Sequence, residues 1–240
     1  MSDIASPLQS CRKIEVGDLL CEWFSHLASY AGEPKPFLGI YDPHWLDRNT
    51  GDARVALDSL RQACCEAGFA GICLVAQHRE NETPKLADFA RWGFDSVYAY
   101  TWYDRNAVQQ QEQLLAHWAH GLIDILPTLS MGWDLRPWGG QQGLWLPAAE
   151  FQGLCTWAKH TYMPAAPSDA ISRRVVMLDN WNEFGEGHSM MPCAGWGFAY
   201  LNAARDVFGQ APYPPNALPT ATQSARLDTL YPPGWRNGNT

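Results

Sequence analysis

The 240-residue sequence contains no run of apolar residues that approaches the roughly 20 needed for a transmembrane helix. No positively charged start is followed by an apolar stretch, so we expect no membrane span and no signal peptide, which favours a cytoplasmic location. The 17 Lys and Arg residues are scattered, and the formal net charge is -8 at pH 7. We therefore expect no nucleic-acid partner, because phosphate binding requires clustered basic residues.

Sequence motifs of several enzyme classes are also missing. No strand-like segment is followed by GxGxxG or GxxxxGK(S/T), which argues against a nucleotide-binding sheet, and nothing else in the sequence indicates a cofactor. A serine nucleophile elbow is not supported, because no GxSxG occurs. With these motifs absent, carboxylate and aromatic side chains are the candidate functional groups.

The cysteines and histidines show no metal-binding pattern. The seven cysteines form no CxxC pair and mostly lie in apolar segments, so we interpret them as reduced core residues. A thiol hydrolase that uses Cys193 with His188 is a distant alternative. His117 and His120 are three residues apart on a predicted helix, but zinc sites need three or four ligands and no third one is evident. No metal site is predicted.

The chain does contain an alternation of short apolar segments with amphipathic ones. A helix is predicted first, over 16–30, and five strand-like segments follow at 36–41, 71–76, 94–102, 123–131 and 175–178. Apolar strands separated by amphipathic helices predict an α/β fold with a parallel sheet, either doubly wound or part of a (β/α)₈ TIM barrel. In both folds ligands bind where the strands end.

The same pattern divides the chain into three parts. Residues 1–14 form an N-terminal segment, residues 15–209 carry the β/α pattern, and residues 210–240 form a tail with six prolines. We expect this tail to be extended on the surface or disordered, because proline-rich segments do not form a packed core.

The segment after the fifth strand carries the most informative residues. The apolar run 175–178 leads into Glu183 and Glu186, which are three residues apart with glycines at 185 and 187. Two glutamates at this spacing usually lie on a solvated helix face, but the preceding strand and the glycines argue against a helix here. Glycosidic bond cleavage uses one group as acid and another as base or nucleophile, often two carboxyl groups. We predict that this pair is catalytic.

Aromatic and polar residues also follow the other strands. The side chains predicted to bind a sugar are Tyr98, Tyr100, Trp102, Trp133, Asp134, Arg136, Trp181, Asn182 and His188. Asp42, His44, Gln77 and His78 follow the first two strands and would converge on the same face. The alternatives stay open: the loop histidines can be bonded to backbone, and Asp134 with Arg136 can be a structural ion pair.

The segment 180–187, with sequence NWNEFGEG, resembles the W-N-E-W-x-E-G signature of glycoside hydrolase family 99 and its relatives, which include domains found among cell-surface polysaccharide assembly genes. The stretches 35–41, 93–95, 132–134, 146–151 and 197–201 support the resemblance, which spans roughly 15–209. It implies a (β/α)₈ barrel and a retaining endo-α-mannosidase activity on a glycan or oligosaccharide.

The resemblance also implies a role for each residue. Glu183 would act as base on the substrate's 2-hydroxyl, whose oxygen attacks the anomeric carbon, and Glu186 would be the general acid and then the base. Asn182 would lie beside the reacting sugar, and Tyr98 or Tyr100 near the 2-hydroxyl. The five strands match the last five of a barrel, so a partial barrel is expected, completed by a partner that supplies the N-terminal units or by self-association. A non-catalytic carbohydrate-binding or polysaccharide-assembly protein is the alternative function.

Overall fold

The computed structural model describes residues 35–78, 83–100, 109, 121–134, 136, 139–140, 145–187, 189–193, 195–223 and 225. The strands are β1 (Phe37–Ile40), β2 (Cys73–Gln77), β3 (Ser96–Tyr98), β4 (Asp124–Leu126), β5 (Thr128–Leu129) and β6 (Met177–Leu178). The α-helices are α1 (Pro43–Thr50), α2 (Ala53–Glu66), α3 (Thr83–Trp92), α4 (Ala148–Trp157), α5 (Met163–Ala165) and α6 (Ala199–Phe208). The helix predicted over 16–30 lies outside the described residues, and so do His117 and His120 of the later predicted helix.

All described strand pairs are parallel. Strands β1 to β4 form one sheet in chain order, and β5 pairs with β6 in a second. Doubly wound sheets reverse their strand order at a switch point, and the described strands show no such reversal. The parallel α/β architecture is therefore confirmed, whereas a TIM barrel, complete or partial, stays a prediction.

A proline divides the strand predicted over 123–131 into β4 and β5. Pro127 has no N–H group and donates no ladder hydrogen bond, so the pairing changes there from β3 to β6. Its carbonyl accepts a hydrogen bond from the Met177 amide at 2.9 Å. One residue further on, the Thr128 hydroxyl donates to the Ala99 carbonyl at 2.7 Å, which ties β5 to the segment after β3.

Two hydrophobic clusters hold the helices on the strands. In the first, one face of β1 to β4 packs against α1, α2 and α3 through buried side chains, among them Leu57, Leu74, Phe89, Val97 and Ile125. In the second, β5 packs against α4 and α6 through Leu129, Phe151, Leu154, Tyr200 and Ala203. A smaller cluster of Cys73, Val75, Leu126 and Ile171 lies on the opposite face of the first sheet. The amphipathic spacing in the sequence thus corresponds to the packed helix faces.

Several predicted features differ from the structure. The run 175–178 was expected to be a buried strand, but β6 comprises two residues, and Leu178 is exposed because β6 pairs with one described strand. Cys64, Cys73 and Cys155 are buried and free as expected, whereas Cys65 is exposed on α2. Among the described residues, no helix has the length and apolar character needed to cross a membrane.

Helix α1 was not predicted. Pro43 occupies its first turn, where the missing N–H group costs nothing, and the Asp42 carboxylate caps the helix by accepting a hydrogen bond from the Trp45 amide at 2.8 Å. Gly51 ends the helix at a positive φ of 77°. This short helix places His44 next to Gln77 and His78 at the end of β2.

Phe89 tests the packing of the first cluster. Its ring is buried among His44, Trp92 and Phe94, so Phe89→Ala should lower the free energy of unfolding by about 3–5 kcal/mol through lost burial and a cavity. Val55→Ala, on the exposed side of α2, should change it by less than about 0.5 kcal/mol. Urea unfolding followed by circular dichroism measures both, and equal effects would contradict the described packing.

Candidate functional site

The two glutamates lie on a single tight turn, which follows β6 after the intervening residues 179–182. A 3₁₀ helix spans Phe184–Glu186, Glu183 precedes it, and the Glu186 amide donates to the Glu183 carbonyl at 3.3 Å. Gly187 ends the turn in the left-handed region with φ 67°. The alternative of a solvated α-helix face therefore does not apply, because no α-helix forms here.

This turn is docked on the loop after β5. The Asp134 amide donates to the Glu186 carbonyl at 2.8 Å. A Cβ atom added to Gly187 would lie 2.8 Å from the Asp134 Cβ and 3.2 Å from the Trp145 ring, so only glycine fits the approach. The backbone position of Glu186 is thus set by Asp134, a residue from the predicted site.

Asp134 and Arg136 form the ion pair that the sequence left as an alternative. The Arg136 guanidinium donates to both carboxylate oxygens, with Nε 2.9 Å from each and Nη2 2.5 Å from Oδ2. The Arg136 amide adds a bond to Oδ1 at 3.0 Å. The hydrogen bond and the charge of Asp134 together raise the pKa of Arg136. Asp134 is buried and doubly paired, which suits a positioning role better than direct sugar contact.

The residues before the turn are anchored through their backbone and leave their side chains exposed. The Trp181 carbonyl accepts hydrogen bonds from the Ser189 hydroxyl at 3.0 Å and the Met191 amide at 2.8 Å. The Trp181 ring is 54% exposed and the Phe184 ring 49%, and Asn182 is exposed as well. These exposed rings on an anchored backbone present apolar faces that a ligand can pack against.

Both predicted tyrosines lie at the end of β3. The Asn180 side-chain amide donates to the Tyr100 hydroxyl at 3.5 Å, which brings Tyr100 to the segment that carries the glutamates. Tyr98 reaches across β2 to β1, where a Cβ atom added to Gly39 would lie 3.3 Å from the Tyr98 hydroxyl. Of the two, Tyr100 has the described contact with this segment.

Of the other residues predicted to bind a sugar, the structure describes Trp133 but not Trp102 or His188. Trp133 is partly buried. Its neighbour Gly132 forms an isolated antiparallel β-bridge with Trp145, and Asp134 follows Trp133 in the chain. No group of three His, Cys, Asp or Glu side chains in the described part of the chain has the arrangement of a metal site.

A polar pair at the ends of β5 and β6 is not among the residues predicted from the sequence. The Ser130 hydroxyl, after β5, donates to the Asp179 carboxylate, after β6, at 2.5 Å, and accepts from the Gly132 amide at 3.1 Å. This pair joins the two strand ends from which the Asp134 loop and the glutamate segment begin. A signal was present, since Ser130 interrupts the apolar fourth segment where its strand was expected to end.

Comparisons with known proteins point to a glycan-related family. Residues 96–204 match a family described as "Glycosyltransferase WbsX". The chain is 28% identical over 217 residues to a protein of Xanthomonas campestris pv. campestris named "Uncharacterized protein WxcX", covering 79% of this chain and 30% of that protein. A WxcX protein of strain B100 is 28% identical over 88 residues, covering 37% of this chain and 13% of that protein.

These matches define how far the similarity extends. The chain spans about a third of the length of the curated relatives it matches. No solved structure matches it. The expectation of a glycan-related family, made from the signature, is supported by the WbsX match. The match covers both glutamates and the described side chains predicted to bind a sugar, but not Asp42, His44, Gln77 or His78. Membership of glycoside hydrolase family 99 stays a prediction.

Gly187 and Gly185 give a matched test of the docked turn. Gly187→Ala forces a side chain into the left-handed region and against Asp134, so it should lower the free energy of unfolding by about 1–3 kcal/mol. At Gly185 the added Cβ meets only the Glu183 carboxylate, at 3.4 Å, and φ lies outside that region, so Gly185→Ala should cost clearly less. Chemical denaturation compares the two, and equal costs would argue against the close approach.

Proposed function

We propose that this chain acts on an α-linked, mannose-type glycan and cleaves it with retention through Glu183 and Glu186. One observation carries the proposal: both glutamates lie on a single turn after a parallel strand, and the loop after the neighbouring strand fixes that turn. Carboxyl ends of parallel strands are where α/β enzymes place their reacting groups. The signature in 180–187 and the WbsX match support a sugar as the ligand.

In the proposed reaction, Glu183 takes the proton from the substrate's 2-hydroxyl while that oxygen bonds to the anomeric carbon. Glu186 protonates the glycosidic oxygen, the bond from the anomeric carbon to it breaks, and the leaving sugar departs. Glu186, now a carboxylate, deprotonates a water molecule that opens the anhydro ring at the anomeric carbon, and Glu183 returns its proton to the 2-oxygen. Two inversions give net retention.

The surroundings of the glutamates support these roles. Both are partly exposed, so a substrate can reach them, and the Glu186 backbone is held by the Asp134 amide. Trp181 precedes the turn and Phe184 lies within it, between the two glutamates, and both exposed rings offer apolar faces to a sugar. Asp134, with both oxygens bound to Arg136, would keep the turn in place.

A glycan-binding or polysaccharide-assembly protein without turnover remains the second candidate. The exposed aromatic rings and the anchored Trp181 backbone serve binding as well as catalysis. Transfer of the sugar to another hydroxyl instead of water is a variant of the same chemistry, since only the acceptor differs. Product analysis in the presence of an added sugar acceptor separates transfer from hydrolysis.

The glutamates are tested with amide replacements. Glu183→Gln and Glu186→Gln should each reduce turnover of an α-mannoside oligosaccharide by about 10²–10⁴-fold, because each removes a proton-transfer group. Both variants should still bind the oligosaccharide. Glu150→Gln, on the exposed first turn of α4, is the matched control and should leave turnover unchanged.

Product formation by chromatography and the anomeric configuration by NMR are the measurements. Inverted product would contradict the proposed reaction. Binding without turnover in the unchanged chain would favour the second candidate. Full activity in Glu183→Gln and Glu186→Gln would remove both residues from the catalytic role.

A further inference from the structure

A separate cavity of about 220 Å³ opens at the ends of β1 and β2. Its polar lining comes from three places: Tyr41, Asp42 and His44 after β1, Gln77 and His78 at the end of β2, and Lys85 on α3. Pockets for drug-sized ligands start at about 300 Å³, so this one suits a smaller group. Nothing in the proposed cleavage reaction uses these side chains.

Buried polar groups line this cavity. Gln77 is 6% exposed and His78 3%. The Nε2 atom of His44 is buried and has no hydrogen-bond partner among the described residues, a state that costs free energy unless something else bonds to it. Phe89 packs against both imidazole rings, at centroid distances of 5.3 Å to His44 and 5.6 Å to His78, and holds them in place.

The charges in the lining favour an uncharged ligand. The lining contains one carboxylate, Asp42, and one ammonium group, Lys85, so its formal charges cancel. The Asp42 carboxylate caps α1 and lies 3.8 Å from Arg48, which leaves it less free to bind a ligand. The amide of Gln77, the two imidazoles and the Tyr41 hydroxyl both donate and accept hydrogen bonds. Sugar hydroxyls also do both, whereas a phosphate only accepts from such groups and needs more positive charge.

The cavity connects to the glutamate segment through two tyrosines. The Tyr41 ring at the cavity mouth meets Tyr100 edge to face, with centroids 5.6 Å apart. The Tyr100 hydroxyl in turn accepts the hydrogen bond from Asn180, three residues before Glu183. Two side-chain contacts, Tyr41 with Tyr100 and Tyr100 with Asn180, therefore join the cavity lining to the segment that carries the glutamates.

We propose that this cavity is a second sugar subsite, which binds one uncharged pyranose unit of the glycan through Gln77, His44 and His78. The inference rests on the proposed function for the identity of the glycan, but the cavity can be tested without it. With such a subsite, the chain should bind oligosaccharides more tightly than single sugars. Binding in the cavity adds affinity that a monosaccharide at Glu183 and Glu186 lacks.

The direct test follows the imidazole ¹⁵N resonances of His44 and His78 by NMR in the whole chain. Methyl α-mannoside, methyl α-glucoside, methyl α-galactoside and inorganic phosphate are added separately, up to roughly 10 mM, which would detect binding with a Kd of about 1 mM. At least one pyranoside should shift both resonances, and phosphate should not. Shifts with phosphate alone, or with none of the four, would overturn the proposal.

Two variants and a control locate the effect. Gln77→Leu keeps the volume but removes the amide, so it should weaken pyranoside binding about 10-fold, within the range for a lost hydrogen bond in a buried site. Tyr41→Ala changes an exposed ring and should also weaken it, which covers the case that Gln77→Leu does not fold. Trp45→Ala, an equally exposed ring on α1 that does not line the cavity, should change it by less than about twofold. Equal effects of Tyr41→Ala and Trp45→Ala would contradict the subsite.

The outcome is independent of the cleavage reaction. If α-mannosides are not cleaved but a pyranoside still shifts the histidine resonances, the proposed function fails and the subsite stands. If α-mannosides are cleaved and no pyranoside reaches His44 and His78, the subsite fails and the proposed function stands.

Discussion

The close approach of two loops at Gly187 is the constraint on which the candidate site depends. One loop follows β5 and carries Asp134, and the other follows β6 and carries both glutamates. No side chain fits between them, because an added Cβ would lie 2.8 Å from the Asp134 Cβ. The position of Glu186 is therefore decided by backbone contact, and the side chains of Asp134 and Arg136 stabilise the loop that provides it.

Parallel pairing brings the other candidate groups to the same edge. Since β1, β2 and β3 pair in parallel with neighbouring registers, the residues that follow them emerge together. Tyr41, His44, Gln77, His78 and Tyr100 all lie there. The hydrophobic cluster beneath them, built on Phe89, fixes both the helices and the two histidines, so stability and site geometry share the same side chains.

Much of the described fold could be predicted from the sequence where local signals and packing agree. The apolar segments predicted as strands at 36–41 and 71–76 correspond to β1 and β2. The α/β class followed from the alternation of such segments. The strand-end position of the glutamates followed in the same way, because a strand signal and two glycines exclude a long helix at that point.

The rest depended on contacts that no local pattern contains. That the Asp134 amide donates to the Glu186 carbonyl depends on the path of two loops that are 52 positions apart in the sequence. Pro127 was read as part of one strand, although its missing N–H group moves the pairing to another partner. Helix α1 is polar and short, so hydrophobic periodicity gave no signal, and only the Asp42–Pro43 start could have indicated it.

Gly39 has a consequence for how this chain can vary. Its lack of a side chain leaves the space that the Tyr98 hydroxyl occupies two strands away, with 3.3 Å to an added Cβ. An alanine at position 39 would move that ring by a few tenths of an ångström, and a larger residue would clash with it and force it into another position. Positions 39 and 98 should therefore change together among related chains, with a bulkier residue at 39 accompanied by a shorter one at 98. A glycine in the first strand thus constrains which side chain the third strand can carry at its end.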